Sequence, residues 1–401
     1  MKKIIYLLLS IFIFFSCGKK EEVVDEEKKL KVWTYLSGNE AKVFQSQLDK
    51  FSKEKGLKIE AMYIPFGEYK KQLSVAVGAG TLPDIIMIDN PDHAQFATMG
   101  IFADISDKMK NWEGTKEYFD GPMLSTMLNG KHYGIPFTSN NLALFYNKKM
   151  LETEKVEVPT TWDELKITGK KLSKNGIYGL GVGSPKNEEA TFQFLPWMLS
   201  AGGSYDKLNS EETIKAAAFW KELIDENIMP KEVATWGQGD AQKQFSAEKL
   251  AMFIGGPWMI SQIKMDNPDI EFGVAFMPKD KKLASVLGGE NLGITESSKD
   301  KDLAWELLKY IGDYKTVKEF IGQTGYFPPR KDVAKDPEWT NDSIKVVFAK
   351  QMEFAMPRGP HPKWPEISRS IYTALQKVEL GTATPKEAFD EAQKEVDLLL
   401  K

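Results

Sequence analysis

The residues able to do chemistry in this sequence are mostly carboxylates, amides and aromatic rings. Carboxylate pairs that hydrolyse glycosides need not be close along a chain, so Glu188-Glu189, Asp89 and Glu290 stay open as such candidates beside the plainer reading of hydrogen-bonding or solvated acids. The three histidines, His93, His132 and His361, form no i,i+4 metal pair and read as ordinary surface or turn residues. No phosphate-binding loop, dinucleotide fingerprint or nucleophile elbow is present, and Cys17 is the only cysteine, so neither a cofactor nor a resident metal is expected. The aromatic residues are more informative. Trp33, Tyr35, Trp236, Trp258, Tyr326 and Trp364 each lie near a loop or element end, beside Gly, Pro or Asn. A flat apolar ring suits the C–H face of a sugar, while carboxylates and amides take its hydroxyls. Asp89-Asn90, Asn140-Asn141, Gln238 and Glu290-Asn291 supply that polar company. Core packing is the competing reading for any one tryptophan.

These side chains need elements to hold them. Residues 250–261, LAMFIGGPWMIS, predict a buried strand, a tight Gly-Gly corner and a helix opened by Pro257, with Trp258 in its first turn. Near the start, Leu30, Val32 and Thr34 alternate with Lys31, Trp33 and Tyr35 as a strand. Ser37 to Glu40 has capping-box spacing ahead of a helix that Gly56 ends. A second strand carries Leu57, Ile59, Ala61 and Tyr63; a helix around Tyr69–Val77 stops at Gly78 and Gly80; Ile85–Ile88 then reads as a strand buried on both faces. This β-α-β-α-β order argues for an α/β layer with a mainly parallel sheet. Thr161 and Glu164 form a second capping box, and the chain from Trp364 onward is helical by pattern.

At 401 residues the chain exceeds one ordinary core and predicts two lobes. Its formal net charge is -4; without Lys2 and Lys3 of the first sixteen residues, 51 basic against 57 acidic side chains give -6, which does not favour nucleic acid or an anionic membrane surface. The N-terminus is different. Lys2-Lys3, an apolar run from Ile4 to Phe15 and then Ser16-Cys17 read as an export signal, too short to span a membrane. The arrangement resembles a bacterial lipoprotein signal, with residues 1–16 removed, Cys17 lipidated and 17–29 a polar tether. Phe14 stands where the motif usually has leucine.

The order of phrases through the chain resembles the extracellular solute-binding proteins of bacterial sugar ABC importers, the maltose-binding-protein-like family. It rests on VWTY, TLPDIIMID, YGIPFTSNNLALFYNKKM, VPTTWDELKITGKKL, FSAEKLAMFIGGPWMI, LGGENLGIT and GYFPPRKD in sequence, from about Leu30 to the C-terminus. The resemblance implies an α/β, two-lobed periplasmic-binding-protein-like fold with a multi-strand hinge and a ligand cleft between lobes. Residues 30–138 and 286–329 would form lobe I, and 139–285 and 330–401 lobe II, with crossings near Phe137–Asn141, Ser285–Gly289 and Phe327–Lys331. It implies a monomer that is no enzyme, exported and lipid-anchored to the cell membrane, facing the periplasm or the exterior. Its partners would be a carbohydrate, two permease subunits and their ATPase. By the same resemblance Trp258 stacks on a sugar ring, Trp33 and Tyr35 lie in the loop after the first strand, and Asp89 and Asn90 follow the PDII strand. Glu290 and Asn291 lie in a crossing, and Trp236 in the loop before the AMFIGGPW strand. Asn140 replaces the acid of maltose binders, which speaks against maltose. The family's last stacking aromatic, in the C-terminal helix, is missing, with Trp364 in the preceding loop its substitute. Arg358 would instead signal an anionic group, a uronate or a phosphate. Four readings are therefore open: a neutral-sugar binder, a binder of an acidic or phosphorylated polyol, a surface glycosidase or lyase, and a structural lipoprotein.

Overall fold

A computed structural model describes residues 28–401 except Pro360. The export signal of residues 1–16, Cys17 and nearly all of the expected tether lie outside the described residues. Lys29, assigned to the tether, instead opens the first strand: it pairs in parallel with Lys58, and its ammonium lies 2.5 Å from Glu60.

Three sheets organise the molecule. The first runs in the order Lys58–Tyr63, Lys29–Thr34, Ile85–Asp89, Glu290–Ile294, Ile135–Pro136. Its first three strands are parallel, as the β-α-β-α-β order predicts, while Glu290–Ile294 runs antiparallel to both neighbours. The second sheet, Phe272–Ala275, Ala143–Asn147 and Met252–Gly255, is wholly antiparallel, so the mainly parallel expectation holds for one layer alone. Alternation along the middle strand explains its place: Ala143 and Phe145 point into one apolar core, and Leu142 and Leu144 into the other. Burying a ring such as Phe145 contributes roughly 1.5–3 kcal/mol.

A third sheet of short strands joins the other two. Ser285–Gly288 pairs antiparallel with Asn140–Asn141 and parallel with Ala355–Pro357. Asn140–Asn141 runs on into the second sheet, and Ser285–Gly288 into the first through Gly289. Gly289 has φ +131°, and a Cβ there would lie 2.4 Å from the Thr138 carbonyl, so only glycine fits this corner. Two of the expected crossing segments thus lie in this third sheet. The expected third, Phe327–Lys331, contributes a bridge in which Phe327 and Ser139 exchange backbone hydrogen bonds of 3.0 and 3.1 Å. The additional hinge strand, Ala355–Pro357, is too short to carry a periodic signature.

Several local expectations are met and some corrected. Thr161 and Glu164 form a complete capping box at the start of Trp162–Leu172. The helix Gly38–Lys55 ends at Gly56 in the left-handed region, but Ser37 makes no side-chain cap bond. Gly78 lies inside the helix Phe66–Ala79, and Gly80 ends it at φ 64°. His93 is not a surface residue. It is fully buried and stacked on Phe102 with ring centroids 4.6 Å apart, and burial lowers its pKa to about 3. No helix of the described residues is long and apolar enough to cross a membrane.

Candidate ligand-binding site

The hinge sheet floors a cavity of about 740 Å³, within the range of small-molecule sites. From the first sheet and its helices come Tyr35, Lys70, Asp89, Asp92 and Glu290, joined by Tyr326. Asn140, Gly288 and Gly289 belong to the hinge. Asn187, Glu188, Glu189 and Phe192 come from the start of the helix Glu188–Ala201, with Gln238 and Trp258 beside them. Arg358 follows the last hinge strand, and Pro365 and Tyr372 belong to the helix Trp364–Glu379.

The Gly-Gly-Pro-Trp corner explains itself here. The strand ends at Gly255, and the helix begins at Met259, two residues later than Pro257 suggests. Trp258 is the residue before that helix, not inside its first turn, although its backbone is already helical (φ -63°, ψ -19°). Its ring folds back over Gly256, where an added Cβ would meet ring carbons at 2.0 Å. The missing side chain at Gly256 is therefore what lets the Trp258 ring lie flat against the wall. Phe192 supports it, with ring centroids 6.4 Å apart and planes 29° apart.

Arg358 holds the polar side together. It is 5% exposed, and its Nη2 donates to Asp89 Oδ1 at 2.8 Å and Asn90 Oδ1 at 3.2 Å. Nη1 donates to Glu188 Oε1 at 3.0 Å, Nε donates to the Leu287 carbonyl at 3.2 Å, and the guanidinium lies 4.6 Å from the Phe192 ring centroid. In this arrangement the protein's own acceptors already occupy most of the Arg358 guanidinium.

The other charges are as constrained. Lys70 lies 2.6 Å from Asp92, whose carboxyl burial raises to about 6 despite that ammonium. Glu290 sits deep in the molecule with part of its surface on the cavity. Burial above all, opposed by a hydrogen bond from Thr138 Oγ1 and assisted by the like charges of Asp89 and Glu40, raises its pKa to about 8. Burial likewise raises Glu189, which accepts the backbone N–H of Gln238. Tyr35 and Tyr326 are held well above the usual phenol value by burial and by Glu290.

Of the residues singled out from sequence, Tyr35, Asp89, Asn140, Trp258, Glu290 and Arg358 meet on the cavity wall. Asn90 stands just behind it, bonded to Arg358. Four stand away from the wall. Trp33 points to the opposite face of its strand from Val32 and packs on the small core around Tyr69. Asn291 faces away from Glu290 by strand alternation and bonds Ser125 at 3.0 Å. Trp236 precedes the helix Gln238–Ser246 rather than the strand, and packs between the two cores. Trp364 is the first residue of its helix, not a loop residue. Its ring is 1% exposed, edge-on to Tyr205, and its Nε1 donates to Glu188 Oε1 at 3.0 Å. Tyr372 lines the cavity instead, so the C-terminal helical region does supply an aromatic. Glu188 and Glu189, open from sequence only as candidate carboxylates, also line the wall, as do Gln238 and Tyr326, and among the remaining wall residues Asn187 had a readable signal. Asn187 caps the helix by accepting from the Glu189 N–H at 2.9 Å, and an Asn-Glu-Glu run is a helix start. Lys70, Asp92 and Phe192 had none.

The family description "Bacterial extracellular solute-binding protein" matches residues 46–346. The chain belongs to this family. A solute-binding protein of an ABC transporter from Thermotoga lettingae TMO, solved with alpha-D-tagatose, superposes with a TM-score of 0.86 at 32% identity, covering 94% of this chain and 100% of that one. Maltose-bound T. maritima MalE3 gives a TM-score of 0.83 at 26% identity over 92% of this chain and 99% of its own. The galactooligosaccharide-binding protein of Bacillus subtilis (strain 168) is 25% identical over 394 residues, 94% of this chain and 91% of that protein. As a member of this extracellular family, the solute-binding protein described here has the two-lobed fold of these relatives.

Proposed function

We propose that this solute-binding protein captures a sugar or oligosaccharide in the cavity and delivers it to the membrane permease of an ABC importer, with no chemical change to the solute. The observation that carries the reading is Trp258, its ring laid over Gly256 on the cavity wall, facing a set of carboxylates and amides. Stacking would fix the sugar ring, and Asp89, Asn140 and Glu290 would take hydroxyls. Arg358 would position Asp89 and Glu188. The lobes would comprise residues 30–138 with 286–329 and residues 139–285 with 330–401, closing about the hinge strands by a bending motion. The anchor would be a lipid on Cys17, holding a monomer outside the cell membrane.

The test is a thermal-shift and calorimetric screen of neutral mono- and oligosaccharides, uronates and polyol phosphates. A native-state ligand raises stability by about 2.7 kcal/mol at a hundredfold excess over its Kd. A shift with a neutral sugar that is recovered unchanged supports the reading. Turnover of the sugar, or a shift with phosphates alone, would replace it.

A further inference from the structure

The charges on the cavity wall do not balance. Five carboxyl groups, Asp89, Asp92, Glu188, Glu189 and Glu290, face two cations, Lys70 and Arg358. Both cations are already engaged. Lys70 is ion-paired with Asp92, and four of the five N–H groups of Arg358 donate to Asp89, Asn90, Glu188 and Leu287. Among the described residues Glu189 and Glu290 have no ion-pair partner within 4.0 Å. Glu290 receives a hydrogen bond from Thr138, feels Asp89 and Glu40 as like charges, and has Tyr35 and Tyr326 beside it. A second observation points the same way. Among the described residues, the side-chain oxygens of Asn140 (7% exposed) and Gln238, both on the wall, are buried without a hydrogen-bond donor.

The wall thus holds more carboxyls than cations, and amide oxygens that still lack a donor. Resting on the sugar-binding reading above, we propose that the solute carries a positively charged group, as in an amino sugar or an ammonium-bearing polyol, seated against Glu290 beside Tyr35 and Tyr326. An ammonium brings three N–H donors and no acceptor, which is what carboxylates and orphaned amide oxygens require. The phenol rings add a favourable cation–π contribution at short range. A uronate or phosphate meets the opposite: a wall whose carboxyls outnumber its cations, with both of those cations already occupied.

The experiment is isothermal titration of the purified protein with matched pairs of amino and unsubstituted sugars. The pairs have gluco, galacto and manno configuration, as mono- and disaccharides, with the corresponding uronates as a third arm. The amino member of the preferred pair is expected to bind at least about tenfold more tightly. Uronates are expected not to bind, and the gap within the pair should narrow about tenfold in Glu290→Gln. Thermal unfolding of the variant checks that it is folded. Equal affinity within a pair, tighter binding of the neutral sugar or of a uronate, or a gap that survives in a folded Glu290→Gln protein overturns the proposal. If no sugar of any arm binds, the sugar-binding reading itself fails and takes this one with it. The wild-type pairs decide the matter even if the variant does not fold.

Discussion

Arg358 Nη2 and Asp89 Oδ1 lie 2.8 Å apart, and this contact ties the end of the first sheet's central strand to the segment just past the last hinge strand. The same guanidinium reaches Glu188 at the start of a helix beyond the hinge, so one buried cation serves carboxylates from both sides of the cavity. Removing it leaves two acids facing each other in a desolvated setting. Arg358→Met is expected to lose about 3–5 kcal/mol of unfolding free energy in denaturant titration. Arg358→Lys should recover little, because a compact ammonium cannot span Asp89, Glu188 and the Leu287 carbonyl together. Full recovery by lysine would show that charge alone, without the planar fork, suffices.

Trp258 is half-buried and has one side on the cavity, so its loss should be felt more in binding than in folding. Trp258→Ala is expected to weaken the preferred solute by about tenfold to a hundredfold, as for a truncated anchor residue. Calorimetry on the variant decides this, and unchanged affinity would remove Trp258 from the site.

Gly256 makes a sharper prediction. A methyl group there would lie 2.0 Å from the Trp258 ring, so Gly256→Ala must push the ring off the wall. Its binding loss should approach that of Trp258→Ala, and it should add almost nothing in a Trp258→Ala background, the signature of two residues acting through one contact. Additive losses would mean that the glycine matters for another reason.

Glu379 gives a test by pH. It is 5% exposed, and burial raises its pKa to about 8, with the nearby Ser184 hydroxyl opposing the rise. An acid whose folded pKa is raised binds more protons folded than unfolded. Its contribution is therefore fully present below the unfolded value near 4.5 and is lost as pH rises through about 8. Glu379→Gln should raise the melting temperature at pH 9 and change it little at pH 5. The gain at the higher pH should be on the order of 1–3 kcal/mol. Glu290, raised to about 8 in the same direction, will add to the wild type's alkaline sensitivity, so the comparison is between variant and wild type at each pH.

Sequence periodicity made much of the fold legible where it had room to repeat. Ile85–Asp89 and the Thr161–Glu164 box carry their signals within a few residues. The hinge did not, because strands of two to four residues have no period to read. The helix Glu188–Ala201 was hidden for another reason: it is buried on nearly every side and contains Pro196, so it shows neither an amphipathic stripe nor an uninterrupted run. At the site, residue types pointed to the right neighbourhoods; strand parity separated Glu290 from Asn291, whereas Trp33 and Tyr35 share a parity and only Tyr35, just past the strand's end, lies on the cavity. Tyr35 and Glu290 reach the cavity, whereas Trp33 and Asn291 serve packing and hydrogen bonding away from it. Trp364 was misplaced because a core tryptophan beside a proline looks the same in sequence as one at a cleft.

The position of Glu290–Ile294 in the first sheet has a consequence for how the chain comes together. This strand sits between Ile85–Asp89 and Ile135–Pro136, so the edge strand Ile135–Pro136 has no partner, and Ile85–Asp89 no neighbour on that side, until a segment roughly 150 to 200 residues downstream arrives. A nascent or newly unfolded N-terminal third therefore holds an open sheet edge and an unfinished apolar face. Synthesis or refolding must pass through such a state, the kind most exposed to aggregation. Weakening the late strand, rather than any early one, should prolong that interval.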